Sequence, residues 1–312
     1  VAGFPCQPFS TAGKQQGFYD SKGRGQIIHY LVDYISLHRP KVFILENVKG
    51  FAQLNNGSCL RRVVRALEAI KDVELKKPRN GHAEPAYEIH HTILNTKEHG
   101  IPHNRPRWYC VGLRRDVVKE GTTFSFPTPI PAPSVLDLLD DAGEVPKGKS
   151  FQGLSETAKK NVHNAEKRLR NQHGFEPDTQ PFLIDCDASA SRSRATYNTS
   201  PCITRSRYRG HWITTHNRRT NIYEMFRLQG MDPSQFIASI PYKDLGQQIG
   251  NAMSVNVLER LFHQIFEATT ISPQTTVDRW KSGEALKRLC LSRGQHFRLS
   301  LIHISEPTRR EG

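Results

Sequence analysis

Apolar residues recur at helical spacing between Gly25 and His38, where Ile27, Ile28, Leu31, Val32 and Ile35 form one stripe. Arg39-Pro40 ends that pattern, because a residue before proline is pushed out of the helical region. Lys41–Leu45 (KVFIL) is short, apolar and rich in β-formers, so it predicts a buried strand. Ser58–Ile70 predicts a second helix with Ser58 as its N-cap. Tyr87–Leu94 and Arg107–Leu113 predict two more strands, and Val1–Phe4 the end of another. Strands alternating with crossover helices predict an α/β fold with a parallel sheet.

The pattern changes after Arg115. A proline-rich connector (residues 126–134) leads to an acidic patch at Asp137–Asp141 and a polar, basic helix at about Glu156–Gln172. From about Thr196 to Ala268 the chain reads as compact again, with helices at Ile222–Leu228 and Met253–Phe266. This organisation gives a partial catalytic domain over 1–119, a differently composed region over 120–193, a return to the first domain over 194–268, and an irregular tail over 269–312. His296–Gly312 is uncharacteristic of a folded C-terminus and reads as translated non-coding or vector sequence.

Charge narrows the partner. The chain carries 44 basic and 30 acidic side chains, a net charge of +14, which favours a polyanion, nucleic acid first. A solvated basic face or tail is the competing explanation. The six cysteines are scattered without a CxxC pair, so neither a zinc site nor a disulfide framework is expected, and a reducing, intracellular compartment is. No apolar run approaches the roughly 18 residues needed to span a bilayer. The chain opens on an apolar stretch with no initiator Met, which predicts a fragment.

Three motifs carry candidate chemistry. Gly3-Phe4-Pro5-Cys6-Gln7-Pro8-Phe9-Ser10 puts a cysteine on a tight turn after a strand, at the sheet edge where α/β proteins place ligands. A thiolate there can act as a nucleophile, although a lone cysteine is more often a small buried thiol. Glu46-Asn47-Val48 follows KVFIL and would lie at the same edge if the two strands are parallel neighbours, pairing an acid with the nucleophile. His103-Asn104-Arg105-Pro106-Arg107 places two arginines at a strand entry, suited to a base edge, carboxylate or phosphate. A capping glutamate and a solvated basic turn are the plain structural alternatives.

In this order the motifs resemble the cytosine-C5 DNA methyltransferase family: GFPCQPFS its Pro-Cys-Gln loop, LENVKG its Glu-Asn-Val element, and HNRPR its Gln-x-Arg-x-Arg element with His103 in place of Gln. Glu224–Gly230 and Gln248–Val257 resemble its RLQG and Gly-Asn elements. The resemblance covers roughly residues 1–262. It implies a partial Rossmann-like methyltransferase sheet with an inserted, smaller target-recognition domain at 120–193. It implies S-adenosylmethionine as methyl donor, DNA as partner, and a cytosine flipped out of the helix. It implies catalytic roles for Cys6, Glu46, Arg105 and Arg107, donor contacts from Pro5, Asn251 and Ala252, and substrate contacts from Gln7, Ser10, Asn47, Arg205 and Arg207, with no metal. The compartment would be the nucleus in a eukaryote, the cytoplasm or nucleoid in a bacterium.

The family's Phe-x-Gly-x-Gly donor loop does not precede Cys6, and Gly13 to Gly25 offer no substitute, so weak donor binding is expected of this chain alone. Two other readings compete. The transfer-RNA branch of the family carries a Cys-Phe-Thr element that is missing here. A non-catalytic DNA-binding fragment would fit the short sheet but not an intact Cys6, Glu46 and Arg107.

Overall fold

The computed structural model describes residues 1–11, 13–72, 84–142, 151, 153–272 and 276–295. The expectation for His296–Gly312 lies outside them. Contacts divide the chain into two units: Val1–His99, Arg105–Pro131 and Asn256–Ser282 form the first, and Gly100–Asn104, Ala132–Val255 and Gly283–Gly312 the second.

The first unit is built on a four-stranded sheet of β1 (Ala2–Gly3), β2 (Val42–Val48), β3 (Tyr87–Asn95) and β4 (Pro106–Arg114), in the order β1-β2-β4-β3. A wholly parallel sheet is not what forms. β1 runs parallel to β2, but β4 is antiparallel to both β2 and β3. The reason is local: no crossover helix lies between β3 and β4, only the short turn Thr96–Glu98 and a few loop residues. Such a link can only make a hairpin. β2 also runs further than KVFIL suggests, so Glu46 and Asn47 lie inside the strand.

Strand alternation sorts the side chains onto two faces. Phe43, Leu45, Trp108 and Cys110 face helices α1 (Ile27–His38) and α3 (Ser58–Glu68), which contribute Ile28, Ile35, Cys59, Val63 and Leu67. Between them lies the five-residue α2 (Lys49–Gln53). Ile44, Tyr109, Val111 and Leu113 face Val257, Leu261 and Ile265 of α7 (Val255–Ala268). The α1 boundary matches its stripe, and Arg39 closes the helix in the left-handed region. Ser58 is not the N-cap of α3. Gly57 holds that position in the left-handed region, and no side-chain bond caps the helix.

The second unit contains a small antiparallel sheet, β5 (Phe182–Ile184), β6 (Ala195–Tyr197), β7 (Trp212–Ile213) and β8 (Arg218–Arg219), in the order β6-β5-β7-β8. Ala158, Val162 and Ala165 of α4 (Glu156–His173) pack on Ile184 and Trp212. Ser155 caps α4 by accepting from the Ala158 amide. α5 (Ile222–Leu228) opens with a capping box between Asn221 and Glu224, and α6 (Tyr242–Asn251) follows. The stretch expected to be an irregular tail carries α8 (Glu284–Leu291), whose Ala285 and Leu289 are buried.

A buried polar knot closes the first unit. Arg260 of α7 donates to Asp278 Oδ2 at 2.9 Å and to His99 Nδ1 at 2.6 Å. Burial first, and Arg260 second, push the His99 imidazole down to about 4. His99 therefore sits neutral in the fold, while an unfolded histidine takes up a proton near 6.5. A depressed value means that the stability is present above about 6.5 and is lost as pH falls through about 4. The shift corresponds to about 3 kcal/mol. Melting curves from pH 7 to pH 4 should show the parent protein losing its advantage over His99→Gln across that window. A constant gap would refute the assignment.

Candidate active site

Cys6 follows β1, and Glu46 lies in β2. These strands are parallel, with Gly3 opposite Glu46, so thiol and carboxyl come to one sheet edge. Asn47 fixes that relationship: its buried amide donates from Nδ2 to the Phe4 carbonyl at 2.9 Å, while its Oδ1 accepts from the Val48 amide at 2.9 Å. Asn47 therefore braces the strand end that leads into the Pro-Cys loop, one residue before Pro5.

The loop is closed by its own backbone and pinned by aromatics. The Cys6 carbonyl accepts from the amides of Phe9 at 3.0 Å and Ser10 at 2.9 Å. Phe9 is buried edge-on against Phe4, Phe18 and Phe51, each pair adding roughly 0.5–1.5 kcal/mol beyond area burial. Gln7 is exposed, and Cys6, Pro5 and Ser10 are half-buried. Gly50, at the end of LENVKG, has a role that its sequence context did not reveal. A Cβ there would lie 2.4 Å from the Phe9 carbonyl oxygen. Gly50→Ala should therefore displace the Cys6 loop, costing about 1–3 kcal/mol. A melting temperature equal to that of the parent would count against this packing.

Arg107 enters from β4. Its Nε lies 3.1 Å from Glu46 Oε1, a diagonal cross-strand pair given that Val48 is opposite Arg107. Arg105 and Arg107 are 2% and 9% exposed, which rules out a solvated basic turn. Burial is the largest influence on Glu46 and raises its carboxyl above the ordinary range, with Arg107 and then Arg105 opposing. Burial likewise raises the Cys6 thiol, with Arg107 the first group to oppose it and Glu46 adding to the rise. Such a site holds a thiol that gives up its proton less readily than usual beside a carboxyl that retains one more readily than usual.

The motif containing both arginines divides between the units. His103 belongs to the second and is wholly buried. Its Nδ1 lies 2.9 Å from the Leu228 carbonyl, and its Nε2 accepts from the Ile203 amide at 3.0 Å. Those partners require Nδ1–H as donor and a neutral ring. Gln, the residue the resemblance leads one to expect, also offers one donor and one acceptor.

The other expected contacts also lie in the second unit. Arg205 is exposed and donates to Gln247 at 3.2 Å, whereas Arg207 is ion-paired with Asp185 at 2.5 Å. Gly250 lets α6 lie on their segment, since a Cβ there would meet the Thr204 carbonyl carbon at 2.3 Å. Asn251 ends α6, exposed, and Ala252 follows as its C-cap.

A methyl donor built on adenosine presents a ribose diol and a cationic sulfonium. Asp20 accepts from Arg24 through both Oδ1 and Oδ2, and Glu46 is paired with Arg107. These carboxylates are therefore already engaged and do not supply a diol cradle. Pro5 in the first unit offers apolar surface, and Asn251 and Ala252 in the second offer an amide and backbone; each by itself fits only part of such a donor.

A family model for the C-5 cytosine-specific DNA methylases matches residues 1–267. The chain belongs to that family. It is 31% identical over 261 residues to the type II methyltransferase M.NgoBI of Neisseria gonorrhoeae, covering 83% of this chain and 71% of that one. It is 30% identical over 261 residues to M.HaeII of Haemophilus aegyptius, covering 84% and 71%. The fold is similar to that of the Entamoeba histolytica methyltransferase EhMeth, with a TM-score of 0.51 at 16% identity over 85% of this chain and 76% of that one. This methylase therefore transfers a methyl group to C5 of cytosine in DNA. Among the described residues no helix is long and apolar enough to cross a membrane.

Proposed function

We propose that Cys6 is the nucleophile of this cytosine methylase, that Glu46 is its acid at N3, and that Arg105 and Arg107 hold the base, with S-adenosylmethionine as donor. The observation that carries the reading is the convergence of Cys6 and Glu46 on one sheet edge with Arg107 bonded to Glu46 at 3.1 Å. The target ring must leave the duplex to reach this edge. The Cys6 thiolate adds to C6, forming the S–C6 bond, while the C5–C6 π pair moves onto the ring and N3 takes a proton from the Glu46 carboxyl. C5 becomes enamine-like and nucleophilic. The donor supplies an electrophilic methyl group. Loss of the C5 proton to a base then returns its electron pair to the C5–C6 bond, expels the Cys6 thiolate, and lets the N3 proton return to Glu46.

Gln7, Ser10 and Asn47 serve the loop that closes on the base, Arg205 and Arg207 the nucleic acid, and Pro5, Asn251 and Ala252 the donor. The net charge of +14 supports a polyanionic partner. The test is trapping on DNA in which 5-fluorocytosine replaces the target base, with S-adenosylmethionine present. Fluorine at C5 cannot leave as a proton, so the adduct persists. A covalent protein–DNA species seen with the parent and missing in Cys6→Ala is expected. An adduct retained by Cys6→Ala would overturn the assignment.

A further inference from the structure

Three charged or polar side chains of the first unit are buried behind the sheet. Asn256 is 0% exposed, Arg260 1% and His99 1%. A buried Arg–Asp pair seldom stabilises a fold more than apolar residues of the same volume would. Asn256 keeps an amide whose Oδ1 is buried without a partner among the described residues, which costs stability. Stability alone does not account for either residue.

Their bonds converge on one turn. Asn256 Nδ2 donates to the His99 carbonyl at 2.7 Å and to the Thr96 carbonyl at 3.3 Å. Arg260, held by Asp278 at 2.9 Å, donates to the His99 ring at 2.6 Å. α7 thus grips both ends of the turn Thr96–His99. That turn holds the backbone of Arg105. The Arg105 amide donates to Asn95 Oδ1 at 2.9 Å, and its carbonyl accepts from the Thr96 amide at 3.4 Å and the Thr96 hydroxyl at 3.5 Å. Arg107 follows two residues later and carries the bond to Glu46.

We infer that Asn256 and Arg260, with Asp278 behind Arg260, are positioning residues for Arg105 and Arg107, acting through the Thr96–His99 turn. Every link lies within the first unit. The inference rests on the proposed roles of Cys6 and the two arginines. An arginine displaced by an ångström still binds nucleic acid through its charge but no longer meets the ring or Glu46 at bonding distance. The rate of adduct formation should therefore fall while affinity for DNA does not.

The probe is a pool of duplexes with random flanking sequence, each carrying one 2-pyrimidinone, a base that accepts a thiolate at C6 without the methyl donor. Asn256→Leu and Arg260→Met should form the adduct at least tenfold more slowly at saturating DNA, with DNA affinity within about twofold of the parent. His99→Gln, which keeps an acceptor for Arg260, should retain most of the rate, and His99→Leu should not. Melting curves give the folded fraction, and rates are compared per folded molecule. Parent-like rates in both α7 variants overturn the positioning role alone, as does a loss that tracks only the folded fraction or DNA affinity. A parent protein that forms no adduct, or a Cys6→Ala variant that still does, overturns the reading of Cys6 and this inference with it.

Discussion

Replacing Cys6 by alanine is expected to abolish methyl transfer, by at least about 10⁴-fold, while leaving DNA affinity close to that of the parent. No other side chain of the Pro-Cys loop can replace it. Gln7 is an amide, and the Ser10 hydroxyl is far less acidic than a thiol. Burial holds the Cys6 thiol above its ordinary range, against the pull of Arg107 and Arg105. Adduct formation by the parent should therefore quicken as pH rises from neutral, because more thiolate becomes available. Single-turnover transfer of labelled methyl groups and filter binding of DNA, run across pH, separate the two effects. Residual turnover above about 1% in Cys6→Ala would exclude covalent catalysis through this residue.

The second large effect is expected at the Glu46–Arg107 pair. Arg107→Met removes the guanidinium that opposes most strongly the rise that burial causes in the Glu46 carboxyl. Breaking a buried pair costs about 3–5 kcal/mol when the remaining charge cannot be neutralised. Here the carboxyl can take up a proton, which sets the pH dependence. A buried acid whose folded value lies above its unfolded 4.5 contributes stability that is present below 4.5 and is lost as pH rises. Arg107→Met should thus be most destabilised at neutral pH and recover toward pH 4.5, in melting curves set against the parent. Adding Glu46→Gln should restore part of the neutral-pH stability, since an amide needs no counter-charge. Activity should stay down by roughly 10²–10⁴-fold in the double variant, because neither the proton donor nor the guanidinium is present. Full stability of Arg107→Met at neutral pH would show that the pair is not buried as described.

How much of this was legible along the chain can be traced element by element. The stripe from Ile27 to Ile35 determined α1, and Arg39-Pro40 its end, because helix periodicity and proline sterics are local. Ile222–Leu228 was likewise readable to its ends, since Asn221 and Glu224 supply both halves of a capping box within the sequence. The short apolar run at KVFIL marked a strand but not its length, because Glu46 and Asn47 are polar residues that a central strand accepts only when partners are waiting. Those partners, Arg107 for Glu46 and the Phe4 carbonyl for Asn47, come from distant segments.

Motif order alone marked Cys6, Glu46, Arg105 and Arg107 as a set, and the basic surplus marked a polyanionic partner. Strand direction could not be read from the apolar runs themselves: β3 and β4 pair antiparallel because of the short link between them, and a hydrophobic run reads the same in either direction. The polar knot of His99, Asn256, Arg260 and Asp278 was equally hidden, because His99 is separated from the other three by a long stretch of chain and none is unusual by composition. Gly50 was visible as a letter, but the Phe9 carbonyl against which it packs appears only when the loop folds over α2. The sequence by itself determined which residues this methylase has for attack and proton transfer. Only the tertiary structure decided that the thiol and the acid share one edge with a guanidinium bonded to the acid, because that arrangement depends on burial and on long-range pairing between β1, β2 and β4.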